Sequence, residues 1–327
     1  MNINRRRALA LAVSALGAPA IIQSAAAAEA SPGLQAAVGR FSSLPGTSSC
    51  LVVAGHPEVR WQVGHNPGTR LFIASAFKTF VLAQFLREVE AGRLSEETQE
   101  AIDDAVRTQG SAVFVNLTGT TTARSVLEAM ITHSDNTAAD IALAAAGPDR
   151  VRALITEAGL TKTQIPDSTR RMVSYLVGAP EGVDIGWEGE KRMAKGESFG
   201  KPRPAINDRQ SMVSTADEMV RWYQQALAGT FFKKPQTLVE FKRIQAMADA
   251  IATVAPSNTV TYAKGGSIDF DGFHARCLPG QMIVSGVPIT FCTTINWTGP
   301  DDTVAATFQA YVAAVANVLQ EAARSVG

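Results

Sequence analysis

Three short clusters of polar residues could do chemistry together. Ser75-Ala76-Phe77-Lys78 sets a hydroxyl and an amine three residues apart, and on a helix that spacing puts both on one face. A serine hydroxyl is a weak nucleophile until a base takes its proton. Lys78 can be that base if burial and a neighbouring positive charge lower its pKa. Ser134-Asp135-Asn136 follows 59 residues later, and Lys264-Gly265-Gly266 lies another 130 residues beyond Ser134. Lys264 would supply the neighbouring charge. A Ser-x-x-Lys pair alone means little, since Ser198-Phe199-Gly200-Lys201 fits the same pattern. That second copy sits in a polar tract with no apolar helix behind it and reads as chance.

The elements that must position these clusters can be read from periodicity. Phe77, Phe80, Val81, Leu82, Phe85, Leu86 and Val89 recur at helical spacing, so Ser75 opens an apolar helix over 75–90, with Gly92 as its C-cap. A helix N-terminus adds positive potential and free N–H groups beside a nucleophile. Helices are expected over 32–41, 122–131, 137–146, 148–158, 214–228 and 303–325. Gly147 and Gly159 end two of them. Strands are expected over 49–55, 58–63, 260–264, 273–284 and 289–297. The Ser-Asp-Asn cluster therefore falls at a helix junction and Lys264 on a late strand. Residues 179–210, rich in Gly, Pro, Lys and Glu, read as one long loop. Two strands early, three late and helices between them imply an α/β (α+β) fold. It comprises a five-stranded antiparallel sheet flanked by terminal helices, with an inserted all-helical lobe over about 75–250.

The three clusters, in this order and on these elements, resemble the Ser-x-x-Lys, Ser-Asp-Asn and Lys-Thr-Gly boxes of class A β-lactamases and penicillin-binding proteins. The neighbours of the second box, Ile131-Thr132-His133 and Thr137-Ala138-Ala139, agree. The resemblance covers roughly residues 33–325 and implies a β-lactamase/transpeptidase-like serine hydrolase. It makes Ser75 the nucleophile, Lys78 its base and Ser134 the relay that passes a proton to the leaving nitrogen. It gives Asn136 the substrate amide and Lys78 to hold, and places Lys264 and Gly266 beside the substrate carboxylate. The N–H groups of Ser75 and Ser267 would form the oxyanion hole. Arg276, sharing a strand face with His274, would help bind the carboxylate or else be a surface cross-strand charge. No metal or organic cofactor is required.

Two departures bear on the reaction. Gly265 stands where the family usually has a hydroxyl, and Ser267 would have to compensate. More seriously, the stretch Gly159 to Arg171 lacks the Glu that in class A enzymes orients the deacylating water. Thr169 falls near its position. Asp167 and Glu181 are the candidate replacements, against the plainer reading that both are solvated loop acids. Acylation is untouched by this loss, but deacylation is in question. The expected activity is therefore β-lactam hydrolysis through a Ser75 acyl-enzyme. The alternatives are a D,D-peptidase or esterase of the same fold, a slow-turnover penicillin-binding protein, or a protein that captures its ligand without releasing product.

Composition excludes other classes. The chain has 327 residues, 30 Lys+Arg against 30 Asp+Glu, and 46% apolar residues, so it lacks the bulk positive potential of a nucleic-acid binder. Three Cys exclude a disulfide scaffold, and no Cys/His cluster suggests a metal. Cys277 and Cys292 lie on strands expected to pair, as a disulfide or as buried thiols, and the state of Cys50 is open. Residues 1–28 read as an export signal: Arg5-Arg6-Arg7, an apolar core from Ala8 to Ile22, then small residues. The adjacent arginines resemble a twin-arginine signal, with an ordinary secretory signal the other reading. Residues 29–327 then form the hydrolase domain, with 27 basic against 30 acidic residues and a net charge of −3. The expectation is a periplasmic or secreted monomer, free of the membrane after cleavage, that acts on a small β-lactam, peptide or ester.

Overall fold

The computed structural model describes residues 29–56 and 59–326. The export-signal reading lies outside the described residues. The chain opens with helix α1 (Pro32–Ser42), then strands β1 (Thr47–Gly55), β2 (Arg60–His65) and β3 (Leu71–Phe72). A 3₁₀ turn over Ala74–Phe77 leads into α2 (Lys78–Glu90). A short ribbon, β4 (Gln99–Ile102) with β5 (Gly119–Thr122), precedes α3 (Ala123–Thr132), α4 (Asn136–Ala146), α5 (Pro148–Glu157), α6 (Thr169–Leu176) and α7 (Gly186–Met193). Strand β6 (Val213–Ser214) pairs with β3, and α8 (Ala216–Leu227), α9 (Pro235–Gln245) and α10 (Ala250–Val254) complete the helical part. Strands β7 (Val260–Ala263), β8 (Gly266–Phe270), β9 (Phe273–Val284) and β10 (Val287–Thr298) lead to α11 (Val304–Arg324).

The main sheet is antiparallel, with β2, β1, β10 and β9 side by side. The fifth lane is shared. β7 pairs with Gly280–Ile283 of β9, and β8 pairs with Phe273–Cys277 of the same strand. Among the described residues the sheet thus has six strands where five were expected. The break falls at Lys264-Gly265, where the lane turns its polar residues towards the helices.

Alternation along the strands builds two cores. On one face Val52, Leu278, Met282, Ile289, Phe291 and Ile295 pack with Leu34 and Phe41 of α1 and with Tyr311, Val315, Val318 and Leu319 of α11. On the other, Leu51, Ala275, Cys277 and Cys292 join a larger core of α2, α3, α4, α5 and α8. Helix α2 lies at the centre of that core, with Phe77, Phe80, Val81, Leu82, Ala83, Phe85 and Leu86 all buried. Its apolar residues cover most of its circumference, as expected of a helix packed on all sides.

Several elements escaped the periodicity. The tract over 179–210 is not one loop, because α7 lies within it. That helix has eight residues and two glycines, too short and too polar for its own pattern to announce it. Helices α6 and α10 are likewise short, and α9, although 11 residues long, buries only Phe241, Ile244 and Gln245. Gly92 does end the turn after α2, at φ +73°. Cys50, Cys277 and Cys292 are buried free thiols. Among the described residues no helix is long and apolar enough to cross a membrane.

Candidate active site

Lys78 is the first residue of α2, and its side chain is fully buried. Its ammonium donates to the Ser134 main-chain oxygen at 2.6 Å and to Asn136 Oδ1 at 2.8 Å. Ser134 Oγ and the Asp135 carbonyl lie at 3.3 Å. The first two boxes therefore meet. Burial pushes the Lys78 pKa well below that of an ordinary lysine, and the positive charge of Lys264 pushes it further, against the opposing pull of Asp140 and Asp135. Both effects favour the neutral form of the amine, the form that can accept a proton.

The local sequence explains why the junction holds this shape. Asp135 is the N-cap of α4, accepting from the Ala138 N–H at 2.8 Å with one oxygen. Its other oxygen takes the N–H groups of Val113 and Phe114, at 2.8 and 2.9 Å. Because Asp135 does the capping, Asn136 is free to face Lys78. Ser134 sits at φ +57° between α3 and α4, a left-handed conformation that costs a non-glycine residue about 1–3 kcal/mol. Ala74, immediately before Ser75, is also left-handed, at φ +47°. The backbone is thus strained at Ser134 itself and immediately before Ser75.

Ser75 is half-buried in the 3₁₀ turn that begins α2. The third box comes to it through Gly266. A Cβ there would lie 2.2 Å from the Ile73 carbonyl oxygen and 3.0 Å from the Ser75 nitrogen. Only glycine lets the edge strand approach the Ser75 backbone so closely. Ser267 follows, exposed at the strand edge. Gly265 faces the other way: a Cβ on it would meet Ala250 of α10 at 3.0 Å. Its bareness thus has a packing reason, whatever hydroxyl a relative would carry there. Lys264 is buried, donates to the Gly265 carbonyl at 2.7 Å, and has its pKa lowered to about 8 by burial, against the pull of Asp249.

A cavity of about 440 Å³ opens beside this edge strand. Ser134, Lys264 and Ser267 line it with polar groups, and Val254, Leu278, Phe308 and Val312 with apolar ones. Arg276 also lines it, but from the sheet face that packs against α11. There its guanidinium grips Asp269 at 2.9 and 3.1 Å, lies over Trp297 and Phe308, and is buried. It is neither a surface charge nor a free cation. Any carboxylate it bound would have to compete with Asp269.

Asp167 and Glu181 are not brought to this site. Asp167 is held by Arg152 at 2.5 Å and by Gln210 at 2.7 Å, and those partners keep its carboxyl below the usual range despite partial burial. Glu181 is exposed and pairs with Arg209 at 3.5 Å. Neither is among the groups that bond to Lys78 or act on its charge. Two carboxylates that the sequence reading did not choose bear on the elements around the site: Asp140, which acts on the Lys78 charge, and Glu190, which does not touch Lys78 itself. Asp140 takes the N–H groups of Thr169 and Arg170 at 2.6 and 3.0 Å, which pins the loop that lacks the Glu against α4. Burial raises its pKa. Four residues after Asn136, it had a sequence signal in the shared helix face. Glu190 of α7 is fully buried, and desolvation raises its pKa as well. Its sequence surroundings carried no such signal.

Solved structures resemble the chain over nearly its whole length. A beta lactamase from Xanthomonas campestris shares 18% identity at a TM-score of 0.67, covering 90% of this chain and 97% of that one. A beta-lactamase from Chitinophaga pinensis shares 15% at 0.70, covering 91% and 100%. A protein described as PBP-A shares 14% at 0.68, covering 91% and 98%. At these identities the likeness shows the fold. Among curated protein sequences none matches. The model of the beta-lactamase enzyme family, Beta-lactamase2, matches residues 42–270, more than half of the chain. With the mixed fold and the three converging boxes, that match places this chain in the beta-lactamase enzyme family.

Proposed function

We propose that the protein is an exported serine acyl hydrolase of class A type that opens β-lactam rings through an acyl-enzyme on Ser75. The observation that carries this reading is the buried amine of Lys78, held on Ser134 and Asn136 at the start of the helix that bears Ser75. In the proposed first step Ser75 Oγ attacks the lactam carbonyl carbon while its proton passes to neutral Lys78. The oxyanion forms against the N–H groups of Ser75 and Ser267. Lys78 and Ser134, 3.3 Å apart, then deliver a proton to the ring nitrogen as the C–N bond breaks. Lys264, cationic below about pH 8, attracts the substrate carboxylate. Water hydrolyses the ester and restores the Ser75 hydroxyl.

One observation favours a second reading for that last step. Thr169, not an acid, follows Ser168 on the loop pinned by Asp140, and both Asp140 oxygens are occupied by main-chain donors. A site without a free carboxylate beside the ester would acylate readily and deacylate slowly, as a penicillin-binding site does. A D,D-peptidase or esterase would use the same residues.

Intact mass measured over time with benzylpenicillin, alongside ring-opening absorbance, tests both readings. A transient adduct with continuing ring opening supports the β-lactamase. A persistent adduct on Ser75 supports the slow-turnover site. Ser75→Ala should abolish the adduct and the turnover. Ring opening by Ser75→Ala at the wild-type rate would overturn the assignment.

A further inference from the structure

The 179–210 tract reaches the site through a continuous chain of hydrogen bonds. Glu190 of α7 accepts from the Thr108 hydroxyl with one carboxylate oxygen and from the Gln109 N–H with the other, both at 2.7 Å. Its own carbonyl accepts from the Gln109 side-chain amide at 2.8 Å. Gln109 is therefore gripped at both its main chain and its side chain by this single residue. The Gln109 carbonyl in turn accepts from Asn136 Nδ2 at 2.9 Å, and Asn136 Oδ1 accepts from Lys78 at 2.8 Å. The next residue, Gly110, has φ +74°, and a Cβ on it would stand 2.5 Å from Asn136 Nδ2. Glycine is what allows the 108–110 segment to lie flat on Asn136.

Nothing else on α7 matches this. Glu188 and Lys191 pair with each other in an exposed bridge, and Arg192 reaches Glu197 at 3.1 Å. A fully buried carboxylate is costly unless its lone pairs are satisfied, and here all the satisfaction comes from the segment that braces Asn136. The charged groups that act on Glu190 from neighbouring elements are Arg170 of α6 and Asp140 of α4.

We propose that Glu190 is a positioning residue for Lys78: through Gln109 and Asn136 it holds the lysine amine in its desolvated seat, so that helix α7 tunes the base. This rests on Lys78 being the base for Ser75. Without Glu190, the 108–110 segment loses its brace, Asn136 swings, and water reaches the amine. Desolvation is the main cause of the lysine's depressed basicity, so its titration should move back towards the ordinary lysine value.

The test uses ¹³Cε-lysine NMR titration of the purified protein, with Lys78→Met to assign the resonance. Acylation by benzylpenicillin is followed by mass in parallel. In Glu190→Ala the Lys78 midpoint should rise by about 1 pH unit. The acylation rate constant should fall about 10-fold with little change in half-saturating concentration. Glu190→Gln keeps an acceptor oxygen for the Gln109 N–H and should restore most of both. Should Glu190→Ala not fold, Thr108→Val removes one donor and should give a smaller upward shift. A folded Glu190→Ala, or a folded Thr108→Val in its stead, whose Lys78 midpoint matches wild type would overturn the proposal. If wild type itself never labels on Ser75, the acyl-hydrolase reading falls. The titration still decides, by itself, whether Glu190 holds Lys78.

Discussion

Lys78 and Lys264 are both buried amines, and the fold disfavours the charge on each. Their consequences separate by pH. Lys264 has a pKa of about 8 in the folded protein against 10.5 for an ordinary lysine. It is cationic below about pH 8 and neutral above. Half-saturating concentrations for an anionic β-lactam should therefore rise above pH 8, while a neutral ester shows no such rise. The sign for stability is the reverse of the usual lysine case. The unfolded chain binds the proton more tightly, so folding opposes it fully below pH 8, and stability from this group grows as pH rises towards 10.5. A shift of that size corresponds to about 3 kcal/mol. Lys264→Met should accordingly melt higher than wild type at pH 7 while binding anionic substrates poorly. Asp140 acts on Lys78 in the opposite direction to Lys264, raising its pKa. Asp140→Asn removes that charge, so the acid limb of the acylation profile should move to lower pH. A shift to higher pH would mean that loosening of the 167–171 loop dominates.

Among the elements, the strand that carries Ser75 into place is itself clamped from the sheet. Asn296 of β10 accepts from the Phe72 N–H at 2.7 Å and donates to the Phe72 carbonyl at 3.0 Å. It thus imitates a strand neighbour for β3, two residues before the left-handed Ala74. By pattern Asn296-Trp297-Thr298 is also a glycosylation sequon. Its buried amide is given over to Phe72 instead. Asn296→Ala leaves two buried main-chain groups unpaired and should cost about 2–3 kcal/mol in denaturant unfolding. It should also slow Ser75 acylation, because the turn before Ser75 loses its anchor. Wild-type acylation in a destabilised Asn296→Ala would show that the clamp serves folding alone. The loop that lacks the class A Glu is fixed in a parallel way, by a side chain of α4 capturing two main-chain donors.

Across the described residues, the first and last helices close one core. Helix α11 lies on the sheet face opposite Ser75, with α1 beside it, and the Ser31 and Ser325 hydroxyls meet at 2.7 Å. Tyr311, Val315, Val318, Leu319 and Ala322 are buried there. Removing them exposes apolar surface worth roughly 10 kcal/mol at 1.5–3 kcal/mol per large side chain. That is comparable to the whole stability of a typical protein. Truncation after Pro300 should therefore give an unfolded or aggregating chain, seen as loss of a cooperative melt, although no Ser75-facing residue is removed. The cavity beside the edge strand would lose part of its apolar lining at the same time, since Phe308 and Val312 belong to α11.

How much was legible follows from what each signal depends on. The long helix behind Ser75, the paired strands and the terminal helices were readable, because their apolar residues repeat at the period of the element that buries them. The three boxes were readable because residue type and order along the chain carry them. The short helices α6, α7 and α10 were not readable, since elements of this length have little periodicity and are stabilised by neighbours distant in sequence, while α9 is longer but buries only Phe241, Ile244 and Gln245, too few to show a stripe. The sixth strand was hidden because the break at Lys264-Gly265 depends on Gly266 packing against the Ser75 backbone. Carboxylate roles were the least legible. Asp167 and Glu181 were close in sequence to the expected position, yet arginines claimed both. Glu190 became a neighbour of the site only through tertiary contacts, and Asp140, which shares a face of α4 with Asn136, took its role from the Thr169 and Arg170 N–H groups it captures. The sequence by itself determined which residues could be nucleophile and base, because that is a property of functional groups. Only the tertiary structure decided which groups lose their water and which partners they meet. Desolvation and hydrogen bonding are set by everything packed around an atom, and those surroundings come from the whole chain.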